Sequence, residues 1–81
     1  MNSNKQNLIN KIIYRSQYRG TKEMDIFVST YVKSIIDSLS IADLKDLNIL
    51  VNMNDEDITK ILNNEITFEN KKILKLLVDF K

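Results

Sequence analysis

The sequence predicts an all-α chain folded as a compact five-helix bundle, a single domain over residues 1–81. Three observations predict it. Apolar residues recur at spacings of three and four, not in the alternation of a half-buried strand. There is no proline, and Gly20 is the one glycine, so little interrupts a helical pattern. Residues able to cap a helix start stand just ahead of successive apolar stripes.

The first helix is expected from about Asn4 to Tyr18, with Ser3 as its cap and Gln6 as the reciprocal partner three residues on. Leu8, Ile9, Ile12 and Ile13 form its apolar stripe. Gly20 suits the left-handed position that closes a helix, because it has no Cβ to clash. Thr21 then caps a second helix that runs to about Ser38. Met24, Phe27, Val28, Tyr31, Ile35 and Leu39 share one of its faces. Glu23 and Asp25 fall in its first turn, where carboxylates complement the helix dipole. Ser40 with Asp43 opens a third helix, which buries Ile41, Leu44, Leu47, Leu50 and Val51. Asn54 with Asp57 opens a short fourth helix carrying Ile58, Ile61 and Leu62. Thr67 is the expected cap of the fifth, where Ile73, Leu76, Leu77 and Phe80 follow helical spacing. Short connections between five helices imply a bundle.

Composition excludes more than it assigns. A chain this small must use most of its apolar side chains in one core. It has no cysteine and no histidine, and so lacks disulfides, thiolate metal sites and the usual general base. Both absences predict that it is not an enzyme. Twelve basic and eleven acidic residues nearly cancel, which argues against nucleic acid or a membrane as partner. No apolar run is long enough for membrane insertion. The N-terminal stretch has neither the apolar centre of a secretory signal nor the arginines of a transit peptide. The expectation is a soluble cytoplasmic chain, monomeric by preference, or a mature form already cleaved.

Chemistry concentrates at the joint of the first two helices. Both arginines of this lysine-rich chain, Arg15 and Arg19, lie one helical turn apart there. Lys22, Glu23 and Asp25 follow at once. Arg19 is placed to pair with Glu23 or Asp25, or with a partner protein through its planar fork. An ordinary capped joint with surface ion pairs fits the same spacing. Tyr14 and Tyr18 are either interface aromatics or covers for the core's edge. Asp55, Glu56 and Asp57 fit a helix's first turn better than a cation site, because no loop with calcium-ligand spacing follows. Lys71, Lys72, Lys75 and Lys81 form a solvated face.

The stretch Tyr14-Arg15-Ser16-Gln17-Tyr18-Arg19-Gly20-Thr21-Lys22-Glu23-Met24-Asp25 resembles the signature of the succinate dehydrogenase flavinylation (assembly) factor family. The family's hallmark is Arg-Gly-x-x-Glu, met here by Arg19, Gly20 and Glu23. Leu39-Ser40 with Asp43-Leu44 is similar to its Leu-Ser-x-x-Glu/Asp-Leu. Asn54-Asp55-Glu56-Asp57-Ile58 is similar to its Pro-Asp-x-Asp-Leu. The likeness covers roughly residues 8 to 62 and is strongest with alphaproteobacterial members. The sequence departs from the pattern where Ile61 stands for a usual tryptophan, Asn54 for the proline, and Gln17 for an aromatic.

The resemblance implies a small five-helix protein that assists covalent FAD attachment to the flavoprotein subunit of succinate dehydrogenase. Some members also serve fumarate reductase. It implies a bacterial cytoplasmic setting and partner-binding roles for Arg19, Gly20, Glu23 and Asp25, with Arg15 and Lys22 as rim charges. With no histidine and no glycine-rich fingerprint, the chain is expected to bind no cofactor itself, and the FAD belongs in the partner. The competing expectation is a small helical regulator, antitoxin-like or DNA-binding through the lysine-bearing fifth helix.

Overall fold

A computed structural model describes residues 3–80, the side chain of Ser3 excepted. It contains α1 (Ser3–Ser16), α2 (Lys22–Ile35), a 3-10 turn (Ile36–Ser38), α3 (Ile41–Val51), α4 (Asp55–Leu62) and α5 (Lys71–Phe80). No strand occurs among the described residues. The five expected helices are present in the expected order.

Three of the expected caps form. Thr21 Oγ1 accepts from Met24 N at 3.1 Å, Ser40 Oγ from Asp43 N at 3.2 Å, and Asn54 Oδ1 from Asp57 N at 2.8 Å. Each satisfies one of the amides that a helix start leaves unpaired. The Ser3 cap lies outside the described atoms; Gln6 Nε2 donates to Asn10 Oδ1 at 3.0 Å.

Besides α2, which stops at Ile35 and leaves the rest of its expected span to the 3-10 turn, two helix boundaries differ from expectation. The first helix ends at Ser16, and the left-handed residue after it is Tyr18 (φ 60°), not Gly20. The last turn closes locally, with Ser16 Oγ donating to Ile13 O at 2.7 Å and Gln17 N to Tyr14 O at 3.2 Å. The early reversal leaves Arg19 and Gly20 free to meet a distant segment. At the other boundary, Asn70 rather than Thr67 caps α5, its Oδ1 accepting from Ile73 N at 3.1 Å. Asn70 Nδ2 also donates to Asp43 Oδ1 at 3.0 Å and Asp46 Oδ2 at 2.7 Å. Tertiary contacts to α3 thus hold Asn70 in the capping place for which the sequence suggested Thr67. The Asn70 hydrogen bond, with Lys72 3.0 Å away, holds the Asp43 carboxyl below the usual carboxylate range.

The core gathers residues from every helix. Ile12 of α1, Val28, Tyr31 and Val32 of α2, Leu44, Leu47, Leu50 and Val51 of α3, Ile58 and Ile61 of α4, and Ile73 and Leu77 of α5 are buried. Helix α1 packs on both α2 and α3, and α5 on α3. Ile61 lies fully inside. Tyr31 is buried with its hydroxyl donating to Ile73 O at 3.0 Å, which tethers α2 to α5. Burial disfavours its phenolate and raises its pKa. Ile41 and Phe80, both expected inside, remain partly exposed. Ile41 starts its helix at the bundle's rim. Phe80 lays its ring against Phe27 and Tyr31, each 5.8 Å between centroids.

Candidate functional site

The turn between α1 and α2 lies against the turn between α3 and α4, and charged side chains join the two. Arg19 follows the left-handed Tyr18 and turns inward. Its side chain is only 7% exposed. Nε donates to Asp55 Oδ1 at 2.8 Å, Nη1 to Val51 O at 2.6 Å, and Nη2 to Met53 O. One guanidinium thus caps the carbonyl end of α3 and pairs with a carboxylate at the start of α4. Gly20 N donates to the other Asp55 oxygen, Oδ2, at 2.9 Å. One turn earlier, Arg15 Nε reaches Asn52 Oδ1 at 2.8 Å. Asn52 Nδ2 in turn donates to Asn48 O at 2.7 Å.

Arg19 therefore pairs with neither Glu23 nor Asp25, the two partners its sequence neighbourhood suggested. Asp55, 36 positions along the chain, takes their place. Lys22 and Glu23 are exposed and Asp25 is half-buried. None of the three makes a side-chain ion pair among the described residues. Gly20 is exposed on the outer side of the joint, and so is Arg15.

A groove of about 450 Å³ runs between the two turns. Tyr14, Arg15, Tyr18, Gly20, Asn52 and Asn54 contribute to its walls. Tyr14 is 63% exposed and Tyr18 75%, with ring centroids 5.6 Å apart. These exposures remove the tyrosines from the core's edge and place an aromatic pair on the outer surface. Glu23 lines a second, apolar depression together with Ile26, Phe27 and Phe80.

The match to known proteins follows this geometry. A family model described as the flavinator of succinate dehydrogenase matches residues 10–81. The chain belongs to this family. It is similar to the mitochondrial succinate dehydrogenase assembly factor 2 of Arabidopsis thaliana, with 31% identity over 62 residues, 76% of the chain. The aligned part is 33% of the Arabidopsis protein, so the chain spans about a third of that relative's length. No solved structure matches.

In this flavinator-family chain, sequence reasoning missed Asp55. Its position in an acidic first turn suggested service to the α4 dipole, and only the fold shows its two oxygens meeting Arg19 and Gly20. Asn52 was missed too, since it carries no local signature. Of the other two members of that acidic turn, Glu56 faces Lys60 at 3.5 Å and Asp57 supplies the amide capped by Asn54. No group of three metal-binding side chains occurs among the described residues. On α5 the lysines meet their own chain: Lys72 with Asp43 at 3.0 Å, Lys75 with Asp79 at 3.1 Å, and Lys71 with Thr67 Oγ1 at 2.6 Å. Lys81 lies outside the described residues. No described helix is long and apolar enough to cross a membrane.

Proposed function

We propose that this chain is a non-enzymatic assembly factor that binds the flavoprotein subunit of succinate dehydrogenase and promotes covalent attachment of FAD to it. Family membership over residues 10–81 carries this reading. Composition supports it from another side. The bond joins a histidine to the flavin's methyl carbon, and a chain without histidine leaves the acceptor to its partner. The related flavoprotein of fumarate reductase is a second candidate partner.

The docking surface in this reading is the joint between α1 and α2. Lys22 and Glu23 offer exposed charges, Tyr14 and Tyr18 an aromatic pair of the kind that anchors interfaces, and Arg15 a rim cation. Asp25 is half-buried beside them. The chain acts by conformation. Held against the unfinished flavoprotein, this rigid surface fixes the arrangement in which flavin and histidine meet, and orientation alone supplies large rate factors.

Mixing apo flavoprotein, FAD, a dicarboxylate and this chain tests the reading. Flavin fluorescence of the flavoprotein band after denaturing electrophoresis should rise well above the level without the chain. An unchanged band with the cognate subunit present would sink the proposal. Glu23→Ala should lower the signal while helix content stays at the wild-type level, because the side chain is exposed and has no partner to lose among the described residues.

A further inference from the structure

We propose that Asp55 positions the docking corner, and that position 20 requires glycine because the Asp55 carboxylate occupies the space a side chain would take. The inference rests on the assembly-factor reading and adds to its surface a residue from a different segment of the chain.

Asp55 opens α4 and is 35 positions from Gly20. Its oxygens are divided between two adjacent residues: Oδ1 holds Arg19 Nε at 2.8 Å and Oδ2 holds Gly20 N at 2.9 Å. A carboxylate engaged in this way fixes the side chain of one residue and the peptide plane of the next. The other Arg19 donors bind Val51 O and Met53 O. Arg19 is thus occupied within its own chain and has no fork to offer a partner. What a partner meets is the surface this latch shapes, namely Tyr14, Tyr18, Lys22 and Glu23.

The usual reason for glycine is absent. Gly20 has no positive φ, and Tyr18 makes the left-handed turn instead. A steric reason is present. A Cβ at position 20 would lie 2.9 Å from Asp55 Oδ2. That oxygen cannot move aside freely, since it accepts the Gly20 amide and its twin holds Arg19. A methyl group there displaces the carboxylate and loosens both bonds.

The test is a double-mutant cycle of Gly20→Ala and Asp55→Ala in the full chain, read by calorimetric binding to the cognate apo flavoprotein subunit. Gly20→Ala alone should weaken binding by about tenfold or more. In the Asp55→Ala background it should have no further effect, because the atom it strikes is gone. Equal losses in both backgrounds would overturn the inference, since the partner's own approach would then demand the glycine. Asp55→Ser replaces Asp55→Ala, with the same expectation, if the alanine variant does not fold. Asn70→Ala, at the distant start of α5, controls for general destabilisation and should bind like wild type. If it loses binding as Asp55→Ala does, the Asp55 effect is only lost stability and the inference falls. A wild-type chain that fails to bind sinks the assembly reading and the inference together, and that failure is visible before any substitution is made.

Discussion

Arg19 illustrates how much a single side chain's role depends on residues far from it. Its place in an Arg-Gly-x-x-Glu stretch suggests a charge held out to a partner, yet the fold draws it in to Asp55, Val51 and Met53. The pair it forms is not a surface ion pair of negligible worth, because the guanidinium is nearly buried and also satisfies two backbone carbonyls. Removing it leaves those carbonyls without that donor and Asp55 without its cation. Arg19→Ala should therefore cost about 3 kcal/mol, the lower end for a broken buried pair, since Asp55 remains 24% exposed. Arg19→Lys should cost less, as the ammonium keeps the charge but cannot span three acceptors. Urea denaturation compares the three chains. An Arg19→Ala chain within about 0.5 kcal/mol of wild type would mean that the latch carries no stability.

At the scale of the elements, the helix starts separate what a sequence states from what it leaves open. Thr21, Ser40 and Asn54 each cap the amide three residues on, and the signal and the bond both lie within one turn. The sequence suggests Thr67 for the fifth helix, yet Asn70 caps it, held by Asp43 and Asp46 on α3, more than twenty positions away. Asn70→Ala should thus lower stability by about 1–2 kcal/mol, losing a cap and the contacts that brace it. Thr67→Ala should stay within about 0.5 kcal/mol, because Thr67 only accepts from the exposed Lys71. Equal losses in thermal or urea unfolding would contradict this assignment. The same logic explains the joint after α1. Gly20 has a familiar local use as a helix terminator, and Tyr18 takes that use over because Asp55 holds the next two residues. The candidate surface was legible in residue types at positions 14–25. The reason it holds its shape was not, because half of the latch lies 35 positions further on.

For the molecule as a whole, the latch and the Tyr31 tether divide the bundle into two regions with different supports. On one side, Arg15–Asn52 and Arg19–Asp55 hold the end of α1 to the α3–α4 turn. On the other, the Tyr31 hydroxyl on Ile73 O and the Asn70 contacts hold α5 to α2 and α3. A chain of 81 residues has little core to spare, yet stability need not be uniform within it. Native-state hydrogen exchange on Arg19→Lys should show the division. Amides at the end of α1 and in α4 should lose protection together, because weakening one latch loosens both. Amides in the second half of α2 and in α5 should keep protection close to wild type, since the Tyr31 and Asn70 bonds are untouched. A uniform loss across all five helices would mean that the bundle opens only as one unit, and that the corner has no independent mechanical identity. Loss confined to α1 would mean that α4 is held by the packing of Ile58 and Ile61 alone. The expected outcome, paired loss at two helices distant in sequence, follows from one guanidinium joining the turn after α1 to the end of α3 and the start of α4.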